Sequence, residues 1–128
     1  MKTQYKFALA AVGSFVLGGA VVQGLHAQGK PFGYFVAEVN VSNTDAYAKE
    51  FLPLAMKAIK DSGGKYLVGG GKTVSLQGTP PANRVVVIQF ESLDKVQAWW
   101  NSAARKESQG IGDKYATFRT YAVEGFSQ

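Results

Sequence analysis

The chain has 128 residues, a formal net charge of +5, 46% hydrophobic residues and no cysteine. That length allows one small domain, and the missing cysteines exclude a disulfide scaffold and any thiolate metal site. Lysines and acidic residues alternate along the chain, which describes a solvated surface and gives no reason to expect a nucleic-acid partner.

Residues 1–27 read as a targeting segment. Lys2 and Lys6 form a basic start, the stretch 7–22 carries no charge, and Leu25-His26-Ala27 provides a cleavage site, the pattern of a secretory signal peptide. The alternative is an uncleaved membrane anchor. A spanning helix wants about 20 apolar residues, whereas this stretch is shorter and holds Gly13, Gly18 and Gly19. Cleavage after Ala27 sends the protein to the periplasm or the medium without stable membrane insertion. It also removes the only histidine, His26, and lowers the formal charge by two. Residues 28–128 are then the folded domain, which must be stabilised by its core or by association.

Gly33 to Val41 is rich in aromatic and β-branched residues and predicts a first strand, with Phe35, Ala37, Val39 and Val41 on one face and Tyr34, Val36, Glu38 and Asn40 on the other. Ser42 to Asp45 supplies capping residues, and Tyr47, Phe51, Leu54, Ala55, Ala58 and Ile59 then recur at helical spacing. Pro53 falls inside that pattern and should bend the helix, which Gly63-Gly64 ends. A second strand is expected over Lys65–Val68. Gly69-Gly70-Gly71 marks a bulge, a bend or a close backbone approach, and Lys72–Gln77 continues extended. After a turn at Gly78–Asn83, the apolar run Arg84–Phe90 predicts a central strand buried on both faces. Ser92 caps a second helix carrying Leu93, Val96, Trp99 and Trp100, with one tryptophan in the core and its neighbour at a rim. Ala103–Lys114, interrupted by Gly110 and Gly112, reads as short helical turns and loop, and Thr117–Val123 as the last strand.

The order βαββαβ leaves few topologies: an α+β, ferredoxin-like fold with a four-stranded antiparallel sheet and both helices on one face. The other face is bare, although Val36, Val85 and Val87 project toward it. Covering about 400 Å² on each of two copies yields on the order of 20 kcal/mol at ~25 cal/mol per Å², against association costs that exceed ~10 kcal/mol. A homodimer packed sheet to sheet is the expected partner arrangement.

Taken in order, the segments Tyr34-Phe35-Val36, Ala46-Tyr47, Ser62 to Val68, Leu76-Gln77-Gly78, Arg84 to Phe90, Ala98 to Ser102 and Val123-Glu124-Gly125 resemble the bacterial family called domain of unknown function 1330. The resemblance spans residues 33–126 and implies a ferredoxin-like, dimeric α/β barrel without implying any reaction. Many members carry a carboxylate where this chain has Gln89, and a basic residue where it has Gly69.

Chemistry is sparsely written in the residues. Gly70-Gly71-Lys72-Thr73 resembles the tail of a phosphate loop, but Tyr66 stands where the leading glycine belongs and no helix follows. Once His26 is gone, zinc, copper and haem iron lose their usual donors, so no metal and no cofactor is expected. A hydroxyl nucleophile lacks an activating histidine. What remains is a cavity between sheet and helices or between protomers. Its candidate ligand-binding residues are Glu38, Arg84, Gln89, Arg119 and Trp99. Glu38 sits in mid-strand, facing either the barrel interior or solvent. Arg84 and Arg119 can each hold a carboxylate, with ion pairing to Glu38, Glu91 or Glu124 as the alternative. Gln89 can orient a ligand by hydrogen bonds but cannot act as a base. The favoured reading is a small organic ligand, apolar or acidic, bound without chemistry. The alternative is a cofactor-independent enzyme, isomerase or monooxygenase-like, with Glu38 as base beside Arg84 or Arg119. A pocket shared by Glu38 and an arginine would support catalysis, whereas one filled by valine and phenylalanine would remove both readings.

Overall fold

The first described strand, β1 (Gly33–Val41), occupies the middle of the sheet and buries alternate residues Gly33, Phe35, Ala37 and Val39. The computed structural model describes residues 30–127; the predicted signal segment lies outside the described residues. The remaining strands are β2 (Lys65–Gly69), β3 (Arg84–Phe90) and β4 (Ala116–Glu124), in the spatial order β2-β3-β1-β4. Pairing is antiparallel throughout, with Glu38 opposite Val85 on one side and Arg119 on the other. Four antiparallel strands in that order, joined through helical crossovers, are the ferredoxin-like α+β topology. Residues Phe32–Gly125 form this body as one compact unit.

The first crossover is helical from α1 (Thr44–Ala46) through a π-helical turn, π1 (Tyr47–Phe51), into α2 (Leu52–Asp61). Asn43 caps it, its side chain accepting from the Ala46 amide at 3.1 Å. The π turn has a local cause. Pro53 has no N–H to return to the Lys49 carbonyl and its ring crowds that carbonyl, so the chain widens just before it. The Leu52 amide consequently donates to Tyr47, five residues back. The expected bend at Pro53 is therefore taken up as one wide turn, and Tyr47 and Phe51 both end up buried, ring centroids 4.9 Å apart.

The second crossover is α3 (Leu93–Trp100), capped by Ser92, which accepts from the Lys95 amide, and then α4 (Ala103–Gly112), capped by Ser102. Here the structure corrects the loop expected over Ala103–Lys114. Arg105, Ser108 and Gly112 fall on one helical face and are buried. Gly112 is needed there: a Cβ would lie 2.7 Å from the Phe51 ring and 3.1 Å from Phe118, so close packing offsets a helix-propensity cost of about 1 kcal/mol.

The core joins the helices to one sheet face. Phe35, Ala37, Val39, Val86, Ile88 and Phe90 meet Tyr47, Phe51, Ala55, Ile59, Val96 and Trp99. Trp99 is buried and Trp100 packs at the rim, as the ~100° helical step requires. Two further corrections concern the strands. β3 is not buried on both sides: Val86, Ile88 and Phe90 are buried, while Val85, Val87 and Gln89 on the helix-free face remain half-exposed. β2 stops at Gly69 after a bulge between Tyr66 and Val68, and Lys72–Gln77 forms no strand. Among the described residues no helix is long and apolar enough to cross a membrane.

At Gly33 an added Cβ would stand 2.5 Å from the Ser92 carbonyl carbon and oxygen, where sheet meets α3. Gly33→Ala should therefore cost roughly 2 kcal/mol or more of unfolding free energy, within the ~1–3 kcal/mol range of overpacking. Gly112→Ala should cost less, because a phenyl ring yields where backbone does not and alanine favours the helix. Urea unfolding of the two variants checks that order.

Candidate functional site

Alternation along the strands divides the predicted site residues between two faces. Val39 pairs with Arg84 and Glu38 with Val85, so Arg84 lies on the helix side and Glu38 on the bare side. Arg119 pairs with Glu38 across β1 and β4, and Gln89 with Tyr34. Glu38, Gln89 and Arg119 thus share the bare face, whereas Arg84 and Trp99 are beneath the helices. The pairing of Glu38 with Arg84 considered from the sequence does not occur.

On the bare face both carboxylate oxygens of Glu38 are engaged. Oε1 accepts from the Ala82 amide at 3.1 Å and Oε2 from Arg119 at 2.5 Å. The Arg119 side chain is 72% exposed, so this is a solvent-screened pair of the kind worth at most about 1 kcal/mol. A shallow groove of about 380 Å³ runs beside it, edged by Pro80, Pro81, Thr117 and Phe118. Gln89 donates from its Nε2 to the Tyr34 hydroxyl at 3.2 Å. A carboxylate held by an amide and a guanidinium, beside a glutamine tied to a tyrosine, looks like surface structure and not a poised base.

The helix side is chemically different. A cavity of about 50 Å³ lies between the sheet and the helices, lined mainly by Phe35, Phe51, Ile88, Trp100, Phe118 and other apolar groups. Set into that wall are Tyr47, Tyr66, Arg84, Trp99, Arg105, Ser108, Gln109 and Thr120, and no carboxylate. Arg84 faces the Tyr47 ring, its guanidinium carbon 5.6 Å from the centroid. Gly70 makes room for it: with φ +83, it stands where a Cβ would meet the Arg84 guanidinium carbon at 2.8 Å. This is the close backbone approach among the options offered by the three-glycine run.

Arg105 stacks on Trp100, 3.7 Å from its ring centre, donates from Nε to the Trp100 carbonyl at 2.7 Å and reaches Gln109. Burial lowers its affinity for the proton, and the field of Asp113 works the other way. Among the described residues neither Arg84 nor Arg105 has a carboxylate within ion-pairing distance. Two buried N–H groups in this wall also lack any acceptor, Arg84 Nε and Trp99 Nε1. Each such orphan costs about 1–3 kcal/mol. Two arginines, two unmet donors and an aromatic wall suit a small organic anion.

Arg84 and Trp99 were visible as candidates from the sequence, but Arg105 was not, because α4 reads as loop. The i, i+3, i+7 spacing of Arg105, Ser108 and Gly112 is the signal that could have found it. Tyr47 belongs to the core and Tyr66 packs against it half-buried, and both line the cavity with Arg84. Among the described residues no group of His, Cys, Asp and Glu could hold a metal ion.

The class the coordinates define is a ferredoxin-like α+β domain with a cavity under its helices. The chain belongs to the family described as Domain of unknown function (DUF1330), whose model matches residues 32–126. Its fold is similar to that of a protein of unknown function from Rhodopseudomonas palustris, at 12% identity and a TM-score of 0.62 over 84% of this chain and 93% of that one. It is also similar to a conserved protein from Bacteroides thetaiotaomicron described as a possible oxidoreductase, at 16% identity and a TM-score of 0.53 over 75% of this chain and 99% of that one. Among the curated proteins nothing matches.

Burial raises the phenols of Tyr47 and Tyr66 above 10.0, with Arg84 pulling both back toward it. A raised folded value means that the unfolded chain ionises first. The associated stability is complete below 10.0 and falls as pH rises through and beyond that value. Chemical denaturation near pH 8 and near pH 11 should show the wild type losing stability. The Tyr47→Phe, Tyr66→Phe double variant should lose less.

Proposed function

We propose that the protein is an exported homodimer that binds a small organic anion, of the short-chain carboxylate class, in the cavity beneath its helices. The observation that carries the binding reading is the pair of buried, unpartnered donors, Arg84 Nε and Trp99 Nε1, in a wall without any carboxylate. A ligand carboxylate supplies acceptors and the missing negative charge at once, in a low-dielectric site where charge-assisted hydrogen bonds count for more. Size narrows the ligand. The cavity of about 50 Å³ is roughly a third of the ~150 Å³ space that admits benzene in an engineered core. A carboxylate with at most one further heavy atom fits that scale.

Pairing of two copies is supported by the bare sheet face, where Val68, Tyr121 and Val123 are 42%, 48% and 49% exposed beside Val36, Val85 and Val87. Export is supported by the basic start, uncharged stretch and Leu25-His26-Ala27 site of residues 1–27. The enzyme reading draws less support. Glu38 and Arg84 are on opposite faces, and both Glu38 oxygens already hold hydrogen bonds.

The test is thermal unfolding of the purified protein with formate and acetate. At 100 times its Kd a ligand stabilises by about 2.7 kcal/mol, so the wild-type midpoint should rise with at least one of them. Arg84→Met should abolish that rise while leaving the ligand-free midpoint unchanged or higher, since it removes a half-buried cation whose Nε has no acceptor among the described residues. If no carboxylate shifts the wild type, or if Arg84→Met shifts as the wild type does, the binding reading fails. Native mass spectrometry of protein secreted by its host should report two chains, each beginning at Gln28.

A further inference from the structure

Between β2 and β3 the chain makes an excursion that nothing in its own fold explains. Residues 71–81 are all exposed and outside any helix or strand. The stretch Thr73-Val74-Ser75-Leu76-Gln77 alternates polar and apolar residues with the period of a half-buried strand, yet Val74 is 71% and Leu76 92% exposed. In an extended chain residues two apart share a side, so this segment presents one apolar edge with nothing against it.

Its ends are fixed. The Gly70 amide donates to the Val85 carbonyl at 2.9 Å, and the Ala82 amide donates to Glu38 on the bare sheet face at 3.1 Å. Gly70 and Gly78 take positive φ, +83 and +79, and Pro80-Pro81 stiffen the return. The excursion is thus an arm whose return is fastened to the same face that the dimer reading covers.

We propose that this arm, residues 71–81, docks onto the second copy, seating Val74 and Leu76 on the partner subunit. The inference rests on the homodimer reading and says what completes it. The sheet face offers roughly 400 Å² per copy, four short strands wide. Two such faces bury about 800 Å², below the ~1,200–2,000 Å² of a stable specific interface. Interfaces of that kind bury about 30 Å² per contributing residue, so two arms of this length add about 700 Å² and bring the pair to roughly 1,500 Å². The sheets alone fall short; sheets and arms together reach the range. A second copy also accounts for a strand-like pattern that the single chain leaves unused.

Sedimentation velocity on the wild type and on the Val74→Ser, Leu76→Ser double variant tests this, with far-ultraviolet circular dichroism to establish that each is folded. Neither side chain belongs to the core, so the variant should keep its fold while its dimer dissociation constant rises roughly tenfold or more. A second readout is hydrogen exchange of amides 72–77, which should be protected at high concentration and lose that protection on dilution. A wild-type dimer whose arm variant associates as tightly, or whose arm amides exchange freely at every concentration, overturns the arm and leaves the dimer standing. A wild type that stays monomeric at micromolar concentration overturns both.

Discussion

A sheet covered by helices on one side only is the constraint from which the rest of this structure follows. Successive residues of a strand point to opposite faces, so every pair of neighbours in β1 and β3 is split between a dry side and a bare one. Phe35, Ile88 and Phe90 go under the helices, while Val36, Val85 and Val87 go to the bare face. The same rule separates Arg84 from Glu38, although their strands are paired within one residue of each other. The two charges therefore belong to different problems. Glu38 and Arg119 neutralise each other at a surface; Arg84 is half-buried beside Tyr47 with no ion-pairing carboxylate among the described residues.

Arg84 gives the helix side much of its chemical character. A π turn at Tyr47–Phe51, caused by Pro53, carries Tyr47 and Phe51 into the core, and both rings border the cavity. Burial raises the phenols of Tyr47 and Tyr66 and so opposes their ionisation, which leaves them neutral neighbours of Arg84 and not counter-ions. Arg105 is handled differently: it lies flat on Trp100 and spends its Nε on a backbone carbonyl. Of the two arginines, Arg84 has the unsatisfied donor, and so it is the one a ligand has most to gain from meeting.

The fold was legible because its signals are local and agree with one another. β1, β3 and α3 appear where alternation, the apolar run and the Ser92 cap place them. The misreadings share a cause, tertiary contact overriding a local preference. Gly110 and Gly112 argue against a helix, yet α4 forms because its face is bound by Phe51 and Phe118. Lys72–Gln77 argues for a strand, yet among the described residues none pairs with it. The site was half legible. Arg84, Trp99, Glu38, Gln89 and Arg119 could be named as polar or aromatic exceptions in apolar runs. Their distribution over two faces depends on pairing register, which no single segment encodes.

Gly70 connects the two sides of the molecule. Its backbone lies against the Arg84 guanidinium, its amide is bonded to Val85, and the exposed arm begins at the next residue. Any side chain there would both strain a backbone at φ +83 and displace the guanidinium. The Arg84 guanidinium is therefore accommodated by the absence of a side chain at the root of the exposed arm.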